Sequence, residues 1–229
     1  CCAHHSRKPG HRFATAAEMG RYSTSMWAAR IRFQLRQADR AAALTLIHGG
    51  HELFRDHVGW HHTATELLVE AGDIPAAISA ARQLVEHRSE NVHAWRLLGE
   101  LLQQHNDLAQ PGEIEAALRR ATRLDASHFD AADLLAVFLA AQNRHDEARA
   151  IMESIAHRLP DPSPARGRVA WLLRDAQPRD ARIAMTSAVR TSPWYAWGWN
   201  QLMTWLEHDK AWDEARDLLR ELPPELRHD

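Results

Sequence analysis

Residues 72–102 read GDIPAAISAARQLVEHRSENVHAWRLLGELL, and two phrases within them decide the fold. The first, Gly72-Asp73-Ile74-Pro75-Ala76-Ala77-Ile78, is a turn opening a helix. The second, Trp95–Leu98–Gly99–Leu102, places apolar residues three and four apart, on one face of another helix. Taking Ala77 as an anchor and looking for its equivalents gives Ala43, Ala77, Ala117, Ala148, Ala181 and Ala215, at successive spacings of 34, 40, 31, 33 and 34 residues. A period of this size marks a repeat array, in which each unit is one helical hairpin. Other positions then fall into register. Trp27, Trp95 and Trp199 share one place in the unit, Met152, Met185 and Leu219 another, and Pro160 and Pro193 a third.

The outlying units depart from this pattern in defined ways. His61 stands where the others carry tryptophan, and Ala132 and Ala165 occupy that place in the fourth and fifth units. The third unit holds about six extra residues near Asn106–Gly112, read as a lengthened loop between its helices. Leu134, Leu135, Phe138 and Leu139 recur at helical spacing, as do Leu202, Trp205 and Leu206. Breakers separate such segments: Gly49-Gly50, Gly72-Asp73, Pro111-Gly112, Pro160-Asp161-Pro162 and Pro223-Pro224. No alternating Val/Ile/Thr run predicts a strand.

With the Trp-x2-Leu-Gly-x2-Leu phrase and the anchored alanines, the chain resembles the tetratricopeptide repeat (TPR), a helix–turn–helix unit of 34 residues, in a divergent array of six units over residues 24–229. The resemblance implies an all-α fold, a right-handed α-solenoid of stacked antiparallel helix pairs. One hairpin buries too little alone, so neighbours stack into a continuous core. Residues 1–23 mix Gly, Pro, Ser, His and Arg, with Ala14–Met19 as the one helical hint, and are expected to form an arm, a linker or the remnant of a preceding domain.

Composition excludes several classes. The 229 residues are 45% hydrophobic and 25% charged, ordinary for a globular chain and unlike a disordered one. No stretch reaches the roughly 18 consecutive apolar residues of a membrane span. Lys+Arg of 28 against Asp+Glu of 30 is too even for a dedicated nucleic-acid binder. The charge is uneven, however: residues 1–40 carry eight basic and two acidic side chains. Of the 28 basic residues only Lys8 and Lys210 are lysine, a bias that reads as GC-rich, bacterial coding. Cys1 and Cys2 are adjacent and have no partners elsewhere, so no disulfide framework is available and a cytoplasmic setting is expected. The start at Cys1 rather than Met reads as a processed product or a piece of something longer.

The resemblance also implies where binding would occur. TPR arrays work through a concave groove lined by the first helix of each unit. The side chains it places there are Arg32 and Arg36 in the first unit, His62, Glu66 and Glu70 in the second, and His93, Arg96, Glu100 and Gln103 in the third. Asp130 and Asp133 follow in the fourth unit, Arg166 and Arg174 in the fifth, and Trp197, Asn200 and His208 in the sixth. So polar a face suits an extended, charged peptide or protein segment. The carboxylate-gripping subclass of the family uses Lys and Asn where this chain has Ala28 and Arg32, and is not supported.

Sixteen histidines, half before residue 63, include His57 and His61 at i, i+4, the weak candidates for a metal site. Trp194, Tyr195, Trp197, Trp199, Trp205 and Trp212 crowd into nineteen residues; four are expected in the core, with Trp205 and Trp212 capping its end and Trp197 the best candidate for exposure. The same Trp-rich unit is a candidate homodimer surface. No G-x-S-x-G, P-loop or G-x-G-x-x-G phrase occurs, and no cofactor is called for. The expectation is a non-catalytic scaffold or adaptor that binds a protein or peptide in its groove. Beside it stand a substrate-recruiting region or accessory subunit of a larger enzyme, and a metal-responsive regulator using the His-rich first third.

Overall fold

The computed structural model describes residues 23–54 and 58–226. Among them are twelve α-helices and no strand: α1 (Thr24–Arg36), α2 (Arg40–Leu53), α3 (Val58–Glu70), α4 (Ile74–His87), α5 (Val92–Gln104), α6 (Glu113–Leu124), α7 (Phe129–Ala141), α8 (His145–Ala156), α9 (Ser163–Leu173), α10 (Pro178–Thr191), α11 (Ala196–His208) and α12 (Trp212–Glu221). Within each of the two compact units of the chain, consecutive helices pack on one another, which fits the all-α helical-repeat fold expected from the sequence. The chain forms two compact units with the boundary between Gln110 and Pro111, so α1–α5 belong to the first and α6–α12 to the second. The lengthened loop of the third repeat is where they divide; it holds a single 3-10 turn at Asn106–Leu108.

The periodicity has a physical basis at three recurring positions. Five of the six anchor alanines, Ala43, Ala77, Ala117, Ala148 and Ala181, have no exposed surface. Five residues before an anchor stands a residue with positive φ in five repeats: Ala38, Gly72, Gly112, Asn143 and Lys210. At 38, 72, 143 and 210 it ends the first helix of its hairpin. In each of these four, the next residue's N–H reaches back to a carbonyl five residues earlier, as Asp73 does to Leu68 and Arg144 to Leu139, both at 2.9 Å. That closes the helix and reverses the chain in two residues. The tryptophans of the repeat serve as pins: the Trp95 indole donates to the Ser89 carbonyl (2.9 Å) and the Trp199 indole to the Pro193 carbonyl (2.8 Å), both six residues back.

In the first unit, Ile31, Ile47, Trp60, Leu67, Leu68, Ile78, Leu84 and Leu102 are fully buried. Burial of each aliphatic side chain contributes about 1.5–3 kcal/mol. Gly50 makes this packing possible, since a β-carbon there would lie 2.1 Å from the Trp60 ring. The second unit has two clusters, one around Leu118, Leu135, Leu139, Met152 and Ile155, the other around Met185, Val189, Trp199, Leu202, Leu206 and Leu218. Helix α9 feeds both, through Ala165 and Leu172 into the first and Ala170 into the second. A helix buried on two sides needs small residues, and Ser163, Ala165, Gly167 and Ala170 supply them.

The Trp-rich repeat departs from expectation. Trp199 is buried and Tyr195, Trp197 and Trp205 are half-buried, but Trp194 and Trp212 are 62% and 56% exposed. Trp212 does not cap the core, because Leu218, Leu222 and Leu226 close its end instead. Among the described residues no helix is long and apolar enough to cross a membrane. The expected N-terminal arm, apart from Ser23, lies outside the described residues.

Candidate functional site

In the first unit the residues expected in the groove largely satisfy one another. The Arg32 Nε of α1 donates to both carboxylate oxygens of Glu70 on α3, at 3.1 and 3.3 Å. His62 Nδ1 lies 3.6 Å from Glu66 one turn on, and Arg96 donates to Glu100 across one turn of α5. Arg36 and His93 are exposed. Such partly solvated pairs each contribute about 0–1 kcal/mol and leave a face that is polar but nearly neutral.

Of the two candidate metal ligands, His57 lies outside the described residues. His61 stands in a column of imidazoles drawn from three successive helices, with ring centres 5.9 Å from His51 and 6.4 Å from His87. No group of three or more His, Cys, Asp or Glu side chains among the described residues is placed to hold a metal ion. Burial, and then the proximity of His61 and His48, pushes the His51 imidazole below its ordinary value.

The second unit assembles a denser site on α7, α9 and α11, the first helices of its hairpins. Asp133 of α7 receives Arg168 of α9 in a bidentate pair, Nε to Oδ1 and Nη2 to Oδ2 at 2.8 Å. The two side chains are only 20% and 13% exposed. The same guanidinium lies 4.4 Å from the ring centre of Trp197 on α11 and 5.0 Å from that of Trp171. Helix α9 packs against both α7 and α11. A side chain of α9 that touches both must lie on the face the three helices share, and Arg168 marks that face. Arg174, at the end of α9, extends the arrangement with its guanidinium 3.9 Å from the Trp171 ring and a bond to the Trp171 carbonyl at 2.8 Å. Indole and guanidinium planes thus alternate, an arrangement in which each contact is worth about 0.5–2 kcal/mol depending on solvation.

Tyr195 braces this ladder from the side of α11. Its ring lies against Gly167 and Gly198, where a β-carbon would come within 2.6 and 2.4 Å, and 5.9 Å from Trp197. Its hydroxyl donates to the Pro164 carbonyl at 3.3 Å, and burial raises the phenol well above its ordinary value. Arg166 is exposed and acts on Asp161 only at Coulombic range; Asp161 is held low chiefly by the Ser163 amide, 2.9 Å away. Asn200 is exposed one turn beyond Trp197.

Of the residues singled out from sequence, Asp133, Arg174 and Trp197 come together here; Arg166, two residues before Arg168 and so on the other side of α9, does not join them. Arg168 and Trp171 were passed over, and Tyr195 was named only within the aromatic cluster of the last repeat. The missed signal is Arg168, Trp171 and Arg174 at i, i+3, i+6, one long side chain per turn along adjoining faces.

No protein-family model matches the sequence, and no curated protein matches it at the sequence level. Solved structures do. YrrB, described as a TPR protein with an unusual peptide-binding site, is similar with a TM-score of 0.58 at 18% identity, over 86% of this chain and 97% of that one. A thermophilic TPR protein of Thermus thermophilus is similar at 0.58 and 16% identity, over 80% and 99%. A tetratricopeptide repeat protein of Parabacteroides merdae reaches 0.66 at 9% identity, over 88% and 80%. The chain therefore has the fold of TPR proteins.

Proposed function

We propose that the protein is an interaction module that binds a peptide or protein segment along the first-helix face of its second unit. The observation that carries this reading is Arg168, held by Asp133 and lying between Trp171 and Trp197 on the shared face of α7, α9 and α11. A side-chain array fixed in advance costs a ligand little ordering of the protein when it binds. The fold is consistent with such a role, and YrrB, one of the similar structures, is described as having a peptide-binding site.

Selection from a phage-displayed library of random dodecapeptides tests the reading. The intact chain should enrich a consensus, and a variant carrying Asn200→Glu, at an exposed position one turn from Trp197, should lose it while keeping its helical circular dichroism. Equal enrichment by both proteins would remove the site from this face.

A homodimer is favoured by a separate observation. Trp212 and Leu219, 56% and 48% exposed, lie two turns apart on one side of α12. Light scattering should then report a dimer that Trp212→Glu converts to monomer; a mass unchanged by the substitution would remove this surface.

A further inference from the structure

Building on the homodimer reading, we infer that two copies pair through α12 about a two-fold axis, with Trp212 of each seated against Leu219 of the other. The residue four after the anchor alanine is Ile47, Ala81, Ala121, Met152 and Met185 in the first five repeats, and none of the five has exposed surface. In the second unit the cause is visible. Met152 shares a cluster with Ala165 and Leu172 of the hairpin that follows it, and Met185 shares one with Trp199, Leu202 and Leu206 of the next. Leu219 holds the same place in the sixth repeat and is 48% exposed. Helix α12 is the last α-helix among the described residues, so Leu219 stands where a further hairpin would lie.

The orientation of α12 follows from its partners. Glu214 and Glu221 share one side of the helix, where Arg182 and Arg190 of α10 meet them at 3.7 and 2.7 Å. Trp212 and Leu219 lie nearly half a turn round from Glu214, on the side turned away from α10. A surface that covers them must bring two apolar side chains at the same spacing, about 10 Å along the axis. Reversed by a two-fold axis, α12 does so itself: Trp212 opposes Leu219, and Leu219 opposes Trp212. The flanks agree in charge. Asp213, Arg216 and Arg220 form one row beside the apolar pair, and in this register Asp213 of each copy comes within reach of Arg220 of the other. Arg216 falls near the axis and carries its counter-charge in Asp213 at 3.1 Å. The opposite flank, Ala215 and Leu222, brings no charge. Exposed ion pairs of this kind fix register more than affinity. One ten-residue helix from each copy makes a small interface, so the dimer depends on concentration.

Light scattering of the full chain over a dilution series, with two variants and their mixture, tests the pairing. Trp212→Glu and Leu219→Arg should each weaken dimerisation at least about hundredfold, because the axis repeats every change. Both positions are exposed, so both variants should keep the helical circular dichroism of the intact chain. The equimolar mixture of the two is the deciding sample. In a mixed dimer one contact is the native Trp212 against Leu219, and the other sets the introduced glutamate against the introduced arginine. The mixture should therefore reach twice the 26.0 kDa of one chain at a concentration where each variant alone is a monomer. A mixture that stays monomeric, or a Leu219→Arg variant that pairs as tightly as the intact chain, overturns the reciprocal contact; loss of the dimer in Trp212→Glu then still leaves the homodimer reading standing. An intact chain that is monomeric throughout, or a Trp212→Glu variant that still pairs, overturns both.

Discussion

Replacing Gly167 by alanine should destabilise the protein, although the same change in an ordinary helix stabilises it. In a helix interior alanine is better than glycine by about 1 kcal/mol, because glycine loses more backbone entropy on folding. Here the added methyl would sit 2.6 Å from both Cε1 and Oη of Tyr195 and 3.0 Å from Cζ. Tyr195 cannot simply swing away. Its Cδ1–Cε1 edge is also held against Gly198, and its hydroxyl is tied to Pro164. Overpacking of this kind costs about 1–3 kcal/mol, so a net loss of about 1–2 kcal/mol is expected in the wild-type background. With Tyr195→Ala already present the clash has no partner, and Gly167→Ala should then stabilise by about 0.5–1 kcal/mol. The sign itself reverses, with a coupling of about 2 kcal/mol between the two positions. Urea unfolding of the four proteins, followed by far-UV circular dichroism, measures it. If Gly167→Ala has the same sign in both backgrounds, Tyr195 does not occupy the space that the glycine leaves open.

Three other outcomes are expected. Arg168→Gln strands the partly buried Asp133 carboxylate and should cost about 2 kcal/mol, part of which Asp133→Asn in the same chain restores, as read from urea midpoints. His51 is held below its ordinary value of 6.5 by burial and by His61 and His48, so the unfolded chain takes up the proton first. Stability is therefore full above pH 6.5 and falls as pH drops through that value toward the folded one, and His51→Gln should flatten thermal midpoints measured across this window. The network of Glu115 and Arg119 on α6 with Arg144 and Glu147 beside and in α8 acts in a lower window. Hydrogen bonds from Arg144 and Arg119 depress Glu115, and those from Arg119 and Arg144 depress Glu147. Their stabilisation is present above the ordinary glutamate value of 4.5 and is lost as pH falls through the depressed values. A Glu115→Gln, Glu147→Gln variant should show a weaker acid loss than wild type, and added salt should narrow the gap between them.

The fold was legible because repetition multiplies weak signals. One small residue in a helix says little, but six at a period near 34, five of them with no exposed surface, define the stack. The reversing turns were half legible. Gly72, Gly112 and Asn143 are residues that tolerate positive φ, whereas Ala38 and Lys210 adopt it under the constraint of their neighbours and carry no sequence mark. Burial at the end of the array was misjudged for a different reason. Indole is apolar enough to predict a core, yet the last helix has core neighbours on one side, which Leu218 satisfies, and Trp212 is left facing outward.

The site was harder to read because a face depends on helix phase, and phase is carried from one hairpin to the next through their turns. In the fifth repeat the residue five before the anchor, Ala176, lacks the positive φ of its counterparts, and the chain enters α10 through Pro178. The register extrapolated from the other repeats therefore does not transfer. It gave α9 a groove face of Arg166 and Arg174 and passed over Arg168 and Trp171. The structure resolves the phase from contacts alone, since one guanidinium cannot reach Asp133 on α7 and Trp197 on α11 unless it lies on the face common to all three helices. Beside that face Gly167 keeps α9 slim enough for Tyr195 to lie across it. The small residues that blur the amphipathic pattern of α9, and so hide its phase in the sequence, are the same ones that let the aromatic ladder form.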